Sequence, residues 1–229
     1  MSARQIKIQA FLTNLPLFRQ LDSAEIDHVA EGATEIDAPR GSILFRRGDP
    51  CSGFHIVIYG QVKLALQTPQ GHERVVELAG PGQSFGEAMM FLGRPYMVTA
   101  ETLADTKLLH VGRDMVFAEI DRDPVFARRM IAGLSQRLHR LIADFEMVTL
   151  HSGTQRVIDY LLRDAAENSK SPTLQVMLPA KKSIIASHLD LTPEHFSRIL
   201  HELSAAGLIQ VAGRNVAILD MARLRRHVG

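Results

Sequence analysis

The sequence predicts an α+β protein in three parts: a double-stranded β-helix (a jelly-roll barrel), a long coiled-coil helix and a winged helix-turn-helix. Three patterns support this prediction. Short strand-like runs separated by glycine or proline turns fill residues 36–112. Apolar residues then recur at spacings of three and four, and two short helical segments precede a hairpin pattern. We place the parts at residues 1–122, 123–150 and 151–229, since 229 residues allow two small domains.

The first part begins with a helical pattern in residues 1–30, where apolar side chains recur at roughly helical spacing at Leu15, Phe18, Leu21, Ile26 and Val29. Asp22-Ser-Ala-Glu25 matches a capping box, so a helix is expected after Asp22. The strands that follow are predicted at Phe54–Tyr59, Val62–Leu66 and Val75–Leu78, with turns at Arg47–Pro50, Thr68–Gly71 and Ala79–Gly82.

Composition and the single cysteine exclude several classes of protein. Hydrophobic residues make up 46% and charged residues 22%, which is typical of a globular protein and excludes global disorder. Cys51 alone excludes an internal disulfide framework and a four-cysteine iron–sulfur or zinc site. No run approaches about 18 uninterrupted apolar residues, and the N-terminus lacks a secretion-signal pattern. We therefore expect a cytoplasmic protein with no membrane span.

The second part is a single long helix. Asp123-Pro124 is typical of an N-cap followed by proline at the first helical position. The apolar positions then follow spacings of 3, 4, 3, 4 and 3 in the set Ile131, Leu134, Leu138, Leu141, Phe145 and Val148. This seam predicts a parallel two-stranded coiled coil, and therefore a homodimer. The alternative is a core helix that packs on the barrel.

The third part carries the helix-turn-helix pattern. Gly153 interrupts the long helix, and Thr154 is expected to cap another helix that ends near Glu167. A short amphipathic helix at 182–189, a turn at 190–191 and a second helix at 192–203 come next. A hairpin, with strands at 208–211 and 216–219, completes a winged helix-turn-helix.

The second short helix is the expected DNA-reading element. Thr192 is its predicted N-cap, and Pro193 occupies the first helical position. Its buried face is predicted to be Phe196, Ile199, Leu200 and Leu203, which leaves Glu194, Ser197 and Arg198 available. Residues 149–229 hold ten Lys/Arg and seven Asp/Glu, a net charge of +3 that suits nucleic acid. Double-stranded DNA is therefore the expected partner, with further contacts predicted at Thr192, His195, Lys181 and Lys182.

These motifs together resemble the Crp/Fnr family of bacterial transcription regulators over nearly the whole chain. They are Gly41–Asp49 followed by Gly60–Leu64, the segment Phe85–Ala88, which is similar to the family's phosphate-binding cassette, the long helix, and Glu194–Arg198. Within the family, Gly86–Phe91 and Pro193–Arg198 look most like the Dnr branch of nitric-oxide-responsive regulators.

The resemblance implies a homodimeric regulator, with RNA polymerase as a further partner. The Glu-x-x-Ser-Arg pattern at 194–198 is similar to that of Fnr and Dnr proteins, whose half-site is TTGAT, so the expected target is TTGAT-N4-ATCAA. Members that bind cyclic AMP carry an Arg-Ser pair where this chain has Tyr96 and Met97, whereas Glu87 is kept. Without that arginine, a buried phosphate beside Glu87 has no cation, and we expect no cyclic AMP binding.

The Dnr resemblance implies nitric oxide as effector, sensed through a noncovalent haem. The expected effector pocket comprises Gly86, Glu87, Met89, Met90, Tyr96, Met97, Leu134 and Leu138. Its methionines, with Phe91, are predicted to form an apolar region between barrel and long helix; the alternative is that they fill an irregular core. His188 is the haem-ligand candidate, since the Dnr branch also carries a His-Leu pair there, although a helix-packing histidine is the alternative.

Other functional classes have weaker support. Metal-dependent cupin enzymes share the double-stranded β-helix and need clustered His and Glu ligands, whereas His55, His72 and His110 are scattered without a short ligand spacing. No metal site is therefore expected, and the protein is predicted not to be an enzyme. A purely structural dimer is disfavoured by the available polar row Glu194, Ser197 and Arg198. Effectors other than nitric oxide, cyclic AMP excepted, remain the main alternative.

Overall fold

A computed structural model describes Leu12, Phe18 and residues 22–67, 73–167 and 175–227. The side chains at 137, 140, 143–149 and 164–167 are not among those described, and Leu15, Leu21 and the predicted turn at 68–71 also lie outside the described residues. The chain divides into two compact units, Met1–Arg140 and Leu141–Gly229.

The first described helix, α1 (Ser23–Glu31), begins where the capping box predicts. The Asp22 carboxylate accepts from the backbone N–H groups of Ala24 and Glu25 at 2.9 and 3.0 Å. The Glu25 carboxylate in turn accepts from the Asp22 N–H at 2.7 Å. Three otherwise orphaned N–H groups at the helix start are thus satisfied by two carboxylates, which confirms the predicted helix start.

Two four-stranded antiparallel sheets form the body of the first unit, with strand orders β1-β8-β3-β6 and β2-β7-β4-β5. This arrangement confirms the predicted double-stranded barrel. The strands are β1 (Ala33–Ala38), β2 (Ile43–Phe45), β3 (Gly53–Tyr59), β4 (Val62–Gln67), β5 (Glu73–Ala79), β6 (Ser84–Phe85), β7 (Thr99–Thr102) and β8 (Thr106–Gly112).

The central strand β3 is buried on both faces, and its side chains alternate between two cores. Phe54 and Ile56 face a core shared with helices, where they pack with Ile26, Val29, Leu109, Val111, Met90, Phe126 and Met130. Val57 faces the barrel interior, which is filled by Phe45, Val62, Leu64, Phe85, Tyr96, Ala100 and Leu108. The strand therefore separates a helix-facing core from a barrel core.

Three further helices belong wholly or partly to this unit: α2 (Glu87–Leu92), α3 (Arg113–Arg122) and α4 (Pro124–Leu150). The Asp123 carboxylate accepts from the Val125 N–H at 2.8 Å, and Pro124 is the first helical residue, as predicted. The Arg129 guanidinium binds the buried Glu25 carboxylate, which ties α4 to α1. Along the ranges that the structure describes, no helix has the length and apolarity needed to span a membrane.

The second unit contains α5 (Gly153–Glu167), β9 (Gln175–Met177), α6 (Lys182–His188), α7 (Pro193–Ala205), β10 (Ile209–Ala212), β11 (Asn215–Ile218) and α8 (Met221–Arg226). Its antiparallel sheet has the order β10-β11-β9. Helices α6 and α7 with this hairpin form the predicted winged helix-turn-helix. The predicted cap Thr154 is wrong, because α5 begins one residue earlier and the Ser152 hydroxyl accepts from the Gln155 N–H at 3.2 Å.

Candidate nucleic-acid interface

The turn between α6 and α7 is tight because one residue takes a left-handed backbone conformation. Asp190 has φ +56°, a region that Asp and Asn tolerate better than other side chains. Thr192 then caps α7, since its hydroxyl accepts from the His195 N–H at 3.2 Å. Pro193 occupies the first helical position, where its missing N–H leaves no bond unmade. The predicted start of α7 is therefore confirmed.

Helix α7 has one buried face and one exposed face. Phe196, Ile199, Leu200 and Leu203 are at most 2% exposed and belong to the core of the second unit. Glu194, Ser197 and Arg198 are exposed. These three residues sit at i, i+3 and i+4, so they share one side of the N-terminal half of the helix.

The exposed side of α7 carries groups that match base edges. A carboxylate accepts from cytosine N4, and a guanidinium forks onto guanine O6 and N7. The Arg198 Nε lies 3.8 Å from the Glu202 carboxylate, and both side chains are more than half exposed. Such an i,i+4 pair is weak in water. It therefore costs little for Arg198 to leave Glu202 for a base.

The four remaining residues predicted to contact DNA differ in exposure and in whether their side chains are already bonded. Thr192 is exposed, but its hydroxyl is occupied by the helix cap. His195 is half-buried, and its ring lies close to Gly153 at the start of α5. Lys181 is exposed immediately before α6, and Lys182 is the half-buried first residue of that helix. Of these four residues, Lys181 and Lys182 carry the positive charges that suit phosphate contacts.

The structure also exposes a basic residue that the sequence reasoning did not single out. Arg214 sits at the tip of the hairpin between β10 and β11, beside Gly213 at φ +63°. Its backbone carbonyl accepts from the Leu178 N–H at 2.9 Å, which holds the tip against the segment after β9. The turn Ala212-Gly-Arg-Asn215 was the available signal, because a hairpin tip presents its central side chain to solvent.

Helix α4 exposes much of its predicted apolar seam. Ile131, Leu138 and Leu141 are 62%, 59% and 44% exposed, and Leu134 is half-buried. Ile142 is a further 52% exposed neighbour. The side chains of Phe145 and Val148 lie outside the described residues. A row of exposed apolar side chains on one helix is typical of an association surface.

Tyr96 fills the barrel interior. Its ring stacks on Phe45 with centroids 3.6 Å apart and planes 7° apart. Its hydroxyl donates to the Gly53 carbonyl at 3.1 Å. Burial, and then contact with the Cys51 thiol, raise the pKa of Tyr96 above its usual value, so the ring is a neutral donor. An aromatic side chain thus occupies the place where the resemblance implies a phosphate-binding arginine.

Two histidines extend this aromatic cluster. His55 stacks on Phe85 at 5.2 Å, and its ring centroid lies 4.9 Å from that of His110, its cross-strand partner. Burial, together with the nearby His110, lowers the pKa of His55 to about 3. The buried His55 Nδ1 has no hydrogen-bond partner. Both imidazoles are therefore neutral at pH 7 and act as part of the packed interior.

The residues predicted for the effector pocket lie in different surroundings. Met90 is fully buried in the helix-facing core, whereas half-buried Met89 packs against the barrel core. Met97 and Leu138 are 58% and 59% exposed. Gly86 precedes α2 at φ +99°, and Glu87, in the first turn of that helix, is 3% exposed. Of the predicted pocket, Gly86, Met89 and Tyr96 therefore lie near the barrel core, whereas Met90 lies in the helix-facing core and Met97 and Leu138 lie at the surface.

The haem-ligand candidate His188 packs against an aromatic ring of the second unit. His188 is the last residue of α6, and its ring meets Tyr160 of α5 edge-to-face with centroids 6.4 Å apart. This contact lies within the second unit and fits a packing role. Within the part of the chain that the structure describes, no three His, Cys, Asp or Glu side chains come together as a metal site.

Comparison with protein families matches both units. Residues 35–123 match the model described as "Cyclic nucleotide-binding domain", and residues 155–227 match "Crp-like helix-turn-helix domain". A CRP-like cAMP-activated global transcriptional regulator from Mycobacterium tuberculosis is 25% identical over 217 residues, covering 94% of this chain and 97% of the relative.

Two solved structures have a similar fold over most of the chain. DNR from Pseudomonas aeruginosa is 32% identical, with a TM-score of 0.55 and coverage of 99% of both chains. FixK2 from Bradyrhizobium japonicum has a TM-score of 0.76 over 85% of this chain and 96% of that chain. At 22% identity, the FixK2 likeness supports the fold alone.

Proposed function

The chain belongs to the Crp/Fnr family of DNA-binding transcription regulators, and we propose that it acts as an effector-controlled homodimer on an inverted-repeat DNA site. The observation that carries this proposal is the exposed row Glu194, Ser197 and Arg198 on the outer face of α7. The rest of α7 is anchored by apolar burial, so these side chains are held on a rigid element. RNA polymerase is a partner by family analogy, the cytoplasm is the expected compartment, and the proposal involves no enzymatic step.

The dimer rests on the exposed seam of α4. Ile131, Leu138 and Leu141 present apolar surface to solvent, and a second copy of the same helix would cover it as a parallel coiled coil. Two-fold symmetry then places two recognition helices on one DNA duplex. Their half-sites would be centred about one helical turn apart.

The proposed target is TTGAT-N4-ATCAA. Glu194 and Arg198 would read a G·C pair from its two strands, and Ser197 would approach a neighbouring thymine. The specific half-site follows from the resemblance to Fnr and Dnr proteins. The arrangement supports it because Pro193, at the position where cyclic-AMP-type members have an arginine, offers no extra guanine contact.

A Glu194→Ala variant tests base readout directly. We expect a loss of roughly 1–3 kcal/mol per half-site and a relaxed preference at the G·C position. Replacing Lys181 or Lys182 with Ala should instead weaken binding to all DNA sequences alike and reduce the dependence of the affinity on salt concentration. Fluorescence anisotropy with cognate and scrambled duplexes measures both effects. Equal base preference in wild type and Glu194→Ala would refute the assignment.

The proposal also concerns which effector controls DNA binding. Nitric oxide sensed through haem is what the Dnr resemblance of Gly86–Phe91 and Pro193–Arg198 implies. The residues present do not fit the predicted haem pocket, because Met89, Met90 and Met97 are divided between two cores and the surface. His188 packs on Tyr160 in the other unit. The alternative effector is another small ligand, cyclic AMP excepted.

An absorption spectrum of protein purified after haem supplementation decides between these effectors. A Soret band that shifts with nitric oxide would support haem sensing in spite of the packing. Its absence after reconstitution would leave a different small ligand as the effector, without affecting the DNA-binding proposal. The cupin-type enzyme has no specific observation in its favour: His55 and His110 pack among aromatic rings.

A further inference from the structure

The start of α5 lies directly against the turn and the first residues of the recognition helix. Arg156 and Gly153 make these contacts, and neither residue is on the DNA-reading face. Only two residues, His151 and Ser152, separate the end of α4 from the start of α5. The contacts therefore join the chain leaving the long helix to the element that would read bases.

Arg156 binds the turn before α7 through three oxygen atoms. Its Nη1 donates to the Leu189 carbonyl at 2.7 Å and to the Asp190 carbonyl at 3.3 Å. The same nitrogen lies 3.9 Å from the Asp190 carboxylate. The Arg156 side chain is only 14% exposed, and a buried guanidinium is costly unless such acceptors surround it.

The turn that Arg156 binds contains a residue in an uncommon backbone conformation. Asp190 is the one non-glycine residue with positive φ among those described, and this conformation is strained for an L-residue. Binding its carbonyl and facing its carboxylate favours this conformation over an extended one. Because Thr192 caps α7 two residues later, the conformation of Asp190 sets the direction in which α7 leaves the turn.

Gly153 permits the second contact by having no side chain. A Cβ at this position would lie 3.1 Å from Leu191 Cδ2, 3.2 Å from His195 Cε1 and 3.4 Å from Ile199 Cδ1. These neighbours belong to the turn and to the first two turns of α7. Any larger residue would push against the reading end of the helix.

We propose that Arg156, seated by Gly153, is a positioning residue for base readout: it sets the orientation of α7 without touching DNA. The inference rests on the proposed DNA-binding function. It predicts that loss of Arg156 misaligns Glu194 and Arg198 with base edges, whereas phosphate contacts, which tolerate small shifts, persist. The expected signature is a reduced ratio of specific to non-specific affinity.

The test compares Arg156→Gln with a matched control, Arg223→Gln, in the full-length protein. Both variants remove one positive charge from the second unit. Arg223 lies at the opposite end of α7, where its guanidinium reaches the Ala206 carbonyl at 3.5 Å. The probe is a duplex selected from random DNA by the wild-type protein, so the test does not depend on the proposed target sequence. Anisotropy titrations give the affinity for this duplex and for a scrambled one, beside thermal unfolding of each variant.

We expect Arg156→Gln to lower the specific-to-scrambled affinity ratio by about tenfold, with scrambled binding retained, and Arg223→Gln to leave the ratio unchanged. Partial unfolding alone would weaken binding to both duplexes equally and leave the ratio of the two affinities unchanged. An unchanged ratio would therefore overturn the inference. If Arg156→Gln does not fold, Gly153→Ala carries the test, with a smaller fall in the ratio expected and an unchanged ratio again contradicting it. Failure of the wild type to prefer any sequence would instead refute the proposed function.

Discussion

Single residues decide what the barrel interior can accept. Tyr96 stacks on Phe45 and hydrogen-bonds the Gly53 carbonyl, so its ring and hydroxyl are both committed. A bound cyclic phosphate would need a cation beside the buried Glu87. The Tyr96 ring, which lies beside the neighbouring Gly86, brings no positive charge that could compensate a phosphate.

The first prediction at this scale concerns cyclic AMP. We expect no binding at micromolar nucleotide, because a buried phosphate would lie near Glu87 without a cationic partner. Isothermal titration calorimetry on the full-length protein is the measurement. A micromolar dissociation constant would contradict the role assigned to Tyr96.

The second prediction concerns the acid stability of the barrel. The pKa of His55 is lowered to about 3 in the fold, whereas an unfolded histidine titrates near pH 6.5. Between these values the unfolded state binds a proton that the folded state does not. Stability is therefore full above about pH 6.5 and falls as pH decreases, by about 1.4 kcal/mol per unit.

A His55→Phe variant should remove most of this pH dependence, since phenylalanine suits the site between Phe45 and Phe85 and has no unpartnered nitrogen. Urea unfolding at pH 5 and pH 7, followed by tyrosine fluorescence, gives the two stabilities. Replacing the exposed His201 with Gln is the control and should keep the wild-type difference. An equally acid-sensitive His55→Phe protein would show that His55 does not cause the effect.

The sequence predicted the starts of the helices well, but it predicted poorly how distant side chains pack together. Sequence spacing alone defines the helix starts, because each depends on residues that are close together in the chain. Examples are the capping box at Asp22, the cap at Thr192 and the first helical residues Pro124 and Pro193. The effector pocket depended instead on how distant side chains pack. Consecutive methionines Met89 and Met90 point into different cores, which no count of methionines reveals.

At the scale of elements, helix α4 presents apolar side chains that its own chain does not fully cover. The exposed fractions of Ile131, Leu138 and Leu141 are far above those of core residues. The 3-4 spacing predicted this face, because a coiled-coil seam is narrower than the stripe of a helix lying on a domain. The break before α5 was harder to place, since Ser152 and Thr154 are both acceptable caps.

The third prediction concerns this helix. Replacing Leu138 and Leu141 together with Asp would bury carboxylates in the proposed coiled-coil seam, which is costly without partners. We expect monomers at micromolar concentration and loss of specific DNA binding. Sedimentation velocity gives the association state.

The matched control places two aspartates elsewhere on the same helix. Gln136 and His139 are exposed and lie outside the 3-4 seam, so Gln136→Asp with His139→Asp should remain dimeric. An intact dimer for the Leu138/Leu141 variant would remove the coiled-coil assignment. Monomers for both variants would show that charge on α4, rather than its apolar seam, controls association.

At the scale of the whole molecule, the protein combines a packed barrel unit with a unit that presents a reading helix. The fold of each unit could be predicted from hydrophobic periodicity and turn residues. Apolar and polar residues alternate in strands, whereas apolar residues recur at spacings of three and four in helices. The contacts of Arg156 and Gly153 with the turn before α7 could not be predicted in this way. They join residues more than 30 positions apart in the chain.

The most direct test of the central claim is selection of binding sites from random duplex DNA by the full-length protein, run in parallel with Glu194→Ala. We predict enrichment of TTGAT-N4-ATCAA by the wild type, and loss of preference at the G·C position for the variant. Recovery of a TGTGA-type half-site, or the same sequence preference in both proteins, would show that Glu194 and Arg198 do not read DNA as proposed.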